Sequence, residues 1–307
     1  MTRPRAWLWP VLVLFGTVSK AEPDRTRPLP VSAHNCYLED SASNARLVEA
    51  LRLGIDNIEI DLGWDETERR LIVGHDAKPR AGIVYADFAS YFVPAIEAHW
   101  RQSPPRRDGA PTVLTIDWKT SHPDAVAAFQ AFLDARPDWF SSAPKGEPSP
   151  LTARRLTVCF TGSDEAKDRY DASIPAGGTY RAFRDAVFGA GGSGYQADVA
   201  AYAPKRATAY HRFLTFHWSH VERGGPMLAG AWTEADAARL EALVKHIHEQ
   251  GYRVRMYCLN GKLGPAVGPY RFPNPAAAAL RWKAAARAGA DWVASDEYEE
   301  IVRVLKE

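Results

Sequence analysis

The chain has 307 residues, of which 46% are hydrophobic and 24% are charged. This composition is ordinary for a globular protein and excludes a disordered or collagen-like chain. Because 38 basic side chains nearly balance 37 acidic ones, for a formal net charge of +1, the overall charge gives no sign of binding to nucleic acid or to an anionic membrane.

The first residues have the pattern of an export signal. Two arginines precede an apolar run over residues 6–18, and a Ser-x-Ala cleavage site follows at residues 19–21. The run is well short of the roughly 20 residues that a membrane-spanning helix needs. We therefore predict that residues 1–21 are a signal peptide, that residues 22–307 form a single domain, and that the protein is secreted or periplasmic. A retained N-terminal anchor is the alternative.

Cysteine is sparse, with residues at Cys36, Cys159 and Cys258. No two of them are close enough in sequence to form a CxxC redox or zinc motif, and an odd number cannot all pair within the chain. Each lies in an apolar or β-branched context, which is typical of a buried cysteine. Export permits one disulfide without requiring it, so the sequence leaves the disulfide state open.

Strand-like and helix-like segments alternate along the chain. Strands are predicted at residues 30–35, 57–64, 71–75, 112–119, 156–161, 213–218, 253–259 and 291–294. Helices are predicted at residues 42–54, 89–102, 124–135, 234–250 and 275–288. This alternation favours an α/β fold, a (β/α)8 TIM barrel. Residues 163–230, with a glycine-rich loop at residues 189–194, fit this order least well, so the barrel is expected to be distorted or incomplete in its middle third.

Polar residues occupy strand ends that would otherwise be apolar. In the strand at residues 57–64, Glu59 and Asp61 alternate with apolar residues, so both carboxylates point into the barrel if the apolar residues pack against helices. Carboxylates held together repel unless a cation or a shared proton lies between them. We therefore expect Glu59 and Asp61, with Asp117 from the next strand, to bind a hard divalent cation such as Mg²⁺ or Ca²⁺. A solvated pair of carboxylates on an edge strand is the alternative.

Two of the nine histidines lie beside this strand. His34 and His75 each end a strand that flanks it, so their side chains and the carboxylates are expected to converge on one mouth of the barrel. Because imidazole exchanges a proton near neutral pH, this arrangement suits general acid–base cleavage of an ester. A purely structural role is the alternative for either histidine.

These motifs carry a resemblance to a known family. His34-Asn35, the Glu-x-Asp at residues 59–61 and the turn at residues 73–76 resemble the signature of phospholipase C-like phosphodiesterases. This superfamily of TIM barrels contains glycerophosphodiester phosphodiesterases and phosphatidylinositol-specific phospholipases C. The closing segment, residues 288–296, resembles the last strand of these barrels. The resemblance implies a TIM barrel and a phosphoric diester hydrolase.

The resemblance also implies roles for individual residues. The implied catalytic residues are His34 and His75, the metal ligands are Glu59, Asp61 and Asp117, and the substrate-binding residues are Asn35 and Lys119. Apart from the resemblance, the positive charge of Arg255 makes it a weaker candidate for stabilising the phosphate. Typical glycerophosphodiesterases have His-Arg-Gly where this chain has His-Asn-Cys, which removes a phosphate-binding arginine and is closer to the His-Asn start of the phosphatidylinositol-specific relatives. The family's glutamate on the third strand is replaced by Asp117, which is shorter by one methylene.

The residues and the resemblance together predict an exported, metal-dependent phosphodiesterase. It is expected to cleave a glycerophosphodiester or a phospholipid headgroup by histidine acid–base catalysis, through attack by water or by a substrate hydroxyl. The alternatives are a metal-independent lyase of the phosphatidylinositol phospholipase C type and a barrel that binds a phosphorylated headgroup without cleaving it. No nucleic acid partner is expected, contact with a membrane surface is at most transient, and the chain is expected to be a monomer.

Overall fold

A computed structural model describes residues 29–39, 41–103, 109–146, 150–189, 198–261 and 271–307. The predicted signal peptide and most of the glycine-rich segment, residues 190–194, lie outside these ranges. No helix within the ranges is both long enough and apolar enough to cross a membrane.

The strands of the described chain are numbered in chain order. They are β1 (Val31–Ala33), β2 (Asn57–Asp65), β3 (Arg70–Val73), β4 (Ala86–Asp87), β5 (Thr112–Trp118), β6 (Ala143–Pro144), β7 (Leu156–Gly162), β8 (Thr179–Tyr180), β9 (Ala182–Phe188), β10 (His211–His217), β11 (Arg253–Tyr257) and β12 (Trp292–Ser295). Eight of them, β1, β2, β5, β7, β9, β10, β11 and β12, pair in parallel, and β1 pairs with both β12 and β2. The sheet is therefore a closed barrel, which confirms the predicted TIM-barrel fold.

A hairpin extends this barrel beside one of its mouths. Strand β2 continues to Asp65, and β3 runs back antiparallel to it before pairing with β4. The hairpin brings the chain back to the level of Asp61, whose main-chain oxygen accepts a hydrogen bond from the nitrogen of Gly74 at 3.1 Å. The residue after Gly74 is His75, so the hairpin places His75 near the carboxyl ends of the barrel strands. A separate pairing joins β6 to β8.

Helices flank the barrel, and side chains cap the starts of several of them. The described helices are α1 (Ala45–Arg52), α2 (Phe88–Gln102), α3 (Pro123–Asp134), α4 (Asp164–Ser173), α5 (Glu234–Glu249), α6 (Pro275–Arg287) and α7 (Tyr298–Lys306). Asp87 caps α2, Asn274 caps α6, and Thr233 forms a reciprocal capping box with Asp236 at α5. These caps satisfy main-chain N–H groups that a helix leaves without partners, which fixes where the helices begin.

All predicted helices and strands are present, with ends shifted by at most three residues. Helices α4 and α7, strand β9 and the two-residue strands are not predicted from the sequence pattern. Helix α4 is mostly polar, and Arg184 and Asp185 interrupt the apolar pattern of β9, so neither has a clear hydrophobic period. Because β9 is present, the barrel is complete in its middle third. The irregularity lies in the connection to β10, where the described residues form only a short 3-10 helix, Val199–Ala201.

The side chains of β2 alternate between two environments, as predicted. Ile58, Ile60 and Leu62 are completely buried in the apolar core. Glu59 and Asp61 are also buried, but their contacts are with polar side chains inside the barrel. The alternation that places apolar residues in the core therefore places two carboxylates on the inner face of the barrel.

All three cysteines are buried, as their sequence context predicts, and all three are free thiols. Burial raises the pKa of Cys36 to about 12. The Cys36 thiol beside the His-Asn motif therefore stays protonated at neutral pH and is not a reactive nucleophile.

Candidate active site

The predicted site residues meet where neighbouring barrel strands end. His34 follows β1, β2 carries Glu59 and Asp61, and β5 carries Asp117 and is followed by Lys119. Strand β2 lies between β1 and β5, and the register pairs Asp61 directly with Asp117. The barrel thus collects these five side chains at the end where TIM barrels hold their active sites.

Three carboxylates form the centre of this site. Glu59, Asp61 and Asp117 each offer an oxygen, and these oxygens lie within 4.8 Å of one another. Burial and the neighbouring Asp117 raise the pKa of Asp61 to about 7, while Lys119 acts in the opposite direction. The Asp61 Oδ1 atom is buried and forms no hydrogen bond within the described chain. The cluster therefore has more negative charge than its neighbours neutralise, and its hard oxygen ligands fit a divalent cation.

Lys119 neutralises part of this negative charge. Its Nζ atom lies 2.9 Å from Asp61 Oδ2 and 3.0 Å from Asp117 Oδ2. Burial lowers the pKa of Lys119, but the two carboxylates outweigh burial and raise it above its ordinary value. On the neighbouring strand β7, Gly162 leaves room for this pair, because a Cβ atom there would collide with Asp117 Oδ1. Lys119 is thus a fixed positive charge beside the carboxylates, in a position to bind a phosphate group.

A buried arginine holds Glu59. The Arg255 guanidinium donates through Nη2 to Glu59 Oε2 and through Nε to Ser32 Oγ at 3.0 Å. The side chains of Arg255 and Glu59 are only 7% and 3% exposed. Arg255 is therefore enclosed inside the barrel, and its geometry supports a role in holding Glu59 rather than direct contact with a substrate.

His34 is held by a carboxylate from the last barrel strand. Its Nδ1 atom lies 2.9 Å from Asp296 Oδ1, and its Nε2 atom lies 3.9 Å from Glu59 Oε2. Burial lowers the pKa of His34, but these two carboxylates outweigh burial and raise it to about 9. At neutral pH both ring nitrogens therefore carry protons, so Nδ1–H donates to Asp296. With 32% of its side chain exposed, His34 is accessible from the mouth.

The turn after β1 adds supporting contacts. Asn35 has φ 52°, in the left-handed region that asparagine tolerates better than most residues. Its Nδ2 donates to Asp296 Oδ1 at 3.1 Å. The hydroxyl of Tyr37 lies 3.1 Å from Asn35 Oδ1 and 2.8 Å from Asp61 Oδ2, so it can donate its proton to either oxygen. Both ends of the Asn35 amide therefore have partners within the protein. Through Asp296 and Tyr37, Asn35 links His34 to the carboxylate cluster.

His75 lies beside this mouth, on the hairpin outside the barrel. It follows β3 and is exposed. Partial burial lowers the pKa of His75, and the positive charge of Lys119 lowers it further, so the ring is neutral at neutral pH. The next residue, Asp76, accepts hydrogen bonds from the Tyr85 hydroxyl at 2.5 Å and from Arg80 Nε at 2.8 Å. Asp76 therefore fixes the loop that carries His75.

Asp296, which has no role among the residues predicted from the sequence, is the partner of His34 in the structure. Asn260 Nδ2 donates to Asp296 Oδ2 at 2.6 Å, and the main-chain nitrogen of Asp296 donates to Asn260 Oδ1 at 3.0 Å. Burial raises the pKa of Asp296, but His34 and Asn260 outweigh burial and hold it below its ordinary value. A signal was available, because Asp296 is a polar residue directly after a strand, like the other site residues. Tyr37 gives no comparable signal.

The sequence and the structure of the chain were compared with those of known proteins. No model of a protein family matches the sequence, and none of the curated proteins matches it. Several solved structures are similar to the chain, among them the three that follow. A phosphodiesterase from Oleispira antarctica, in complex with the product sn-glycerol-3-phosphate, is 15% identical over 86% of this chain and 90% of that chain, with a TM-score of 0.49. A glycerophosphodiester phosphodiesterase from Agrobacterium tumefaciens is 12% identical over 89% and 97%, with a TM-score of 0.46.

The third similar structure establishes the fold. A protein assigned as a glycerophosphoryl diester phosphodiesterase, from Silicibacter pomeroyi, is 11% identical over 91% of this chain and 94% of that chain, with a TM-score of 0.51. The chain therefore has the α/β barrel fold of that protein across nearly its whole length. The fold expected from the sequence motifs is confirmed.

Proposed function

We propose that this chain, which has the fold of a glycerophosphodiester phosphodiesterase, is an exported, metal-dependent phosphodiesterase. The observation that carries the proposal is the meeting of three carboxylates, Lys119 and the carboxylate-held His34 at the carboxyl ends of the barrel strands. Cation binding, phosphate binding and proton delivery are thereby available in one place. The proposed substrate is a glycerophosphodiester or a phospholipid headgroup. Export to the periplasm or beyond rests on the N-terminal pattern alone.

The proposed cation, Mg²⁺ or Ca²⁺, would be held by Glu59, Asp61 and Asp117. The buried, unpartnered Asp61 Oδ1 supports this assignment, because a cation would supply the positive charge that this oxygen lacks. When bound, such a cation stabilises the negative charge that grows on the phosphoryl oxygens.

The two histidines take complementary parts in proton transfer. His34, held through Nδ1 by Asp296, gives its Nε2 proton to the leaving alkoxide. His75, which is neutral, accepts the proton of the attacking water or substrate hydroxyl. When their environments give two titratable groups different pKa values, one group can act as the acid and the other as the base. Lys119 holds a phosphate oxygen between them.

A metal-independent lyase is the second candidate, because cationic side chains already pair with the carboxylates. Arg255 binds Glu59, and Lys119 binds Asp61 and Asp117. In such a lyase these two cations would take the place of the metal ion in neutralising the site. A barrel that binds a phosphorylated headgroup without cleaving it remains the third candidate.

One assay separates the three candidates. The purified protein is incubated with glycerophosphodiesters, lysophospholipids and inositol phospholipids, with Mg²⁺ or Ca²⁺ or with a chelator, and phosphomonoester and cyclic phosphate products are measured. We expect turnover with a divalent cation and its loss with the chelator. Turnover that resists the chelator would favour the lyase. Binding without turnover of any substrate would favour the binding barrel.

Exposed apolar side chains support transient contact with a membrane surface. The exposed large apolar residues of the described chain are Leu38, Val48, Val84, Val187, Met227, Leu228 and Leu280. Only Val48 and Leu280 lie on flanking helices. Met227 and Leu228, which are 66% and 77% exposed, lie on a short 3-10 helix after β10, Gly225–Leu228. Single exposed apolar residues are ordinary, but two adjacent ones after a barrel strand suit transient contact with a membrane surface.

Replacing Met227 and Leu228 together by serine tests this contact. Burying one such side chain contributes about 1.5–3 kcal/mol, so the double variant should cleave phospholipid vesicles at least about tenfold more slowly. Its rate on a soluble glycerophosphodiester should not change. Leu280→Ser, which changes an exposed leucine on α6, is the matched control. Equal vesicle rates for the double variant and the control would contradict membrane contact through this surface.

A further inference from the structure

The barrel closes where its first strand, β1, meets its last strand, β12. The register of these strands ends with Ala33 opposite Ser295, and the main-chain nitrogen of His34 donates to the main-chain oxygen of Ser295 at 3.2 Å. His34 and Asp296 are the next residues of the two segments, and their side chains meet at 2.9 Å beyond the paired part of the strands. The geometry of this pair therefore depends on what holds the two turns together.

An arginine on the first helix binds both turns. Arg46, on α1, donates through Nε to the main-chain oxygen of Asn35 at 3.0 Å and through Nη2 to the main-chain oxygen of Asp296 at 3.0 Å. Because the guanidinium is planar and its N–H groups have a fixed geometry, this one side chain sets the spacing of the two carbonyl groups. Arg46 thus links the backbone after β1 to the backbone after β12.

Tyr298, the first residue of α7, holds this guanidinium in place. The Cζ atom of Arg46 lies 4.3 Å from the centre of the Tyr298 ring, which is a cation–π contact. The Tyr298 side chain is buried. Its hydroxyl lies 2.5 Å from the main-chain oxygen of His34 and 3.0 Å from that of Asn35, so it can donate to either. The turn that carries His34 is therefore held from two helices.

We propose that Arg46 is a positioning residue for His34: by fixing the backbone of Asn35 and Asp296, it keeps the Asp296 carboxylate on His34 Nδ1 and the Nε2 proton directed at the leaving alkoxide. The inference rests on the proposed function, in which His34 is the acid. Arg46 acts through the two turns, because its hydrogen bonds go to main-chain oxygens. A misplacement of a catalytic group by about 1 Å can cost about 10²-fold in rate.

The test is to replace Arg46 by methionine, which keeps the length of the side chain and removes its donors. The rates are measured on two soluble phosphodiesters, one with an alkyl alcohol and one with a nitrophenol as the leaving group. We expect kcat to fall by about 10- to 100-fold with the alkyl alcohol. The loss should be much smaller with the nitrophenol, which leaves without a proton. A merely structural role would slow both substrates equally.

Three further variants sharpen this measurement. Arg52→Met is the matched control, because Arg52 lies on the same helix and binds Glu299 of α7 at 2.9 Å on the exposed surface. It should leave both rates unchanged. In a His34→Ala background, Arg46→Met should have no further effect with the alkyl alcohol. Arg46→Lys keeps the charge without the planar fork, and it should show the same dependence on the leaving group if Arg46→Met does not fold.

Proton NMR measures the pair without any turnover. The Nδ1 proton of His34, which is held by Asp296 in a charge-assisted hydrogen bond, should give a low-field resonance that is absent from His34→Ala. In Arg46→Met this resonance should broaden or disappear, because the proton exchanges with water once the pair is loosened. It should persist in Arg52→Met.

The outcomes separate this inference from the proposed function. Unchanged rates in Arg46→Met, or equal losses with both leaving groups, would overturn the role of Arg46 and leave the phosphodiesterase intact. Persistence of the low-field resonance in Arg46→Met would also overturn it. A wild-type protein that cleaves neither substrate would refute the proposed function, and the resonance would then decide by itself whether Arg46 holds the pair.

Discussion

Replacing His34 by alanine is expected to lower the turnover of a phosphodiester by about 10²- to 10⁴-fold, the usual contribution of a general acid or base. The variant loses the Nε2 proton that Asp296 helps to hold on the ring. Steady-state kinetics on two soluble phosphodiesters, one with an alkyl alcohol and one with a nitrophenol as the leaving group, measure the effect. The loss should be much smaller for the nitrophenol, which leaves without a proton. Cation affinity should be kept.

His75→Ala is expected to lose turnover to a similar extent with both leaving groups, because His75 acts on the attacking water or substrate hydroxyl. Replacing both histidines should cost much less than the product of the two single losses, since residues that act as one unit are not additive. His211→Ala is the matched control, because His211 is an exposed histidine at the start of β10, the opposite end from the mouth. Full activity in either His34→Ala or His75→Ala would refute the assigned catalytic pair.

Replacing Asp61 by asparagine is expected to weaken Mg²⁺ or Ca²⁺ binding by more than the roughly 10- to 100-fold that loss of a supporting partner costs. Asparagine keeps an oxygen that can accept the hydrogen bond from Tyr37, and Lys119 keeps its ion pair with Asp117. The fold should therefore persist. Calorimetric titration measures the affinity, and Glu68→Gln, at an exposed carboxylate in the turn after β2, is the control. Unchanged affinity in Asp61→Asn would refute the metal site.

Glu59→Gln should lower the affinity for the cation as much as Asp61→Asn does, but it should also destabilise the protein. The change leaves the enclosed Arg255 guanidinium without the charge that it binds, and breaking a buried ion pair from one side costs about 3–5 kcal/mol. Denaturant unfolding without cation measures this difference from Asp61→Asn. A second change, Arg255→Met, should restore much of the lost stability. Equal stability of Glu59→Gln and Asp61→Asn would contradict the role of Arg255.

Local patterns were enough to predict most of the barrel. In β2, Ile58 and Ile60 alternate with Glu59 and Asp61, and because successive side chains of a strand face opposite ways, the period alone separates core from barrel interior. The pattern failed in α4 and β9, where Lys167 and Asp185 are buried. Their surroundings come from other elements of the chain, so no local hydrophobic period marks them.

By itself, the sequence determined the order of helices and strands and the chemical groups at the strand ends, among them His34 and Glu59. Only the tertiary structure decided the partners of these groups. Asp296 lies 262 residues from His34 along the chain, and Arg255 lies 196 residues from Glu59. Closure of the barrel brings each pair together. Burial and the charges within a few ångströms set the protonation of such groups, and these depend on three-dimensional neighbours rather than on sequence neighbours.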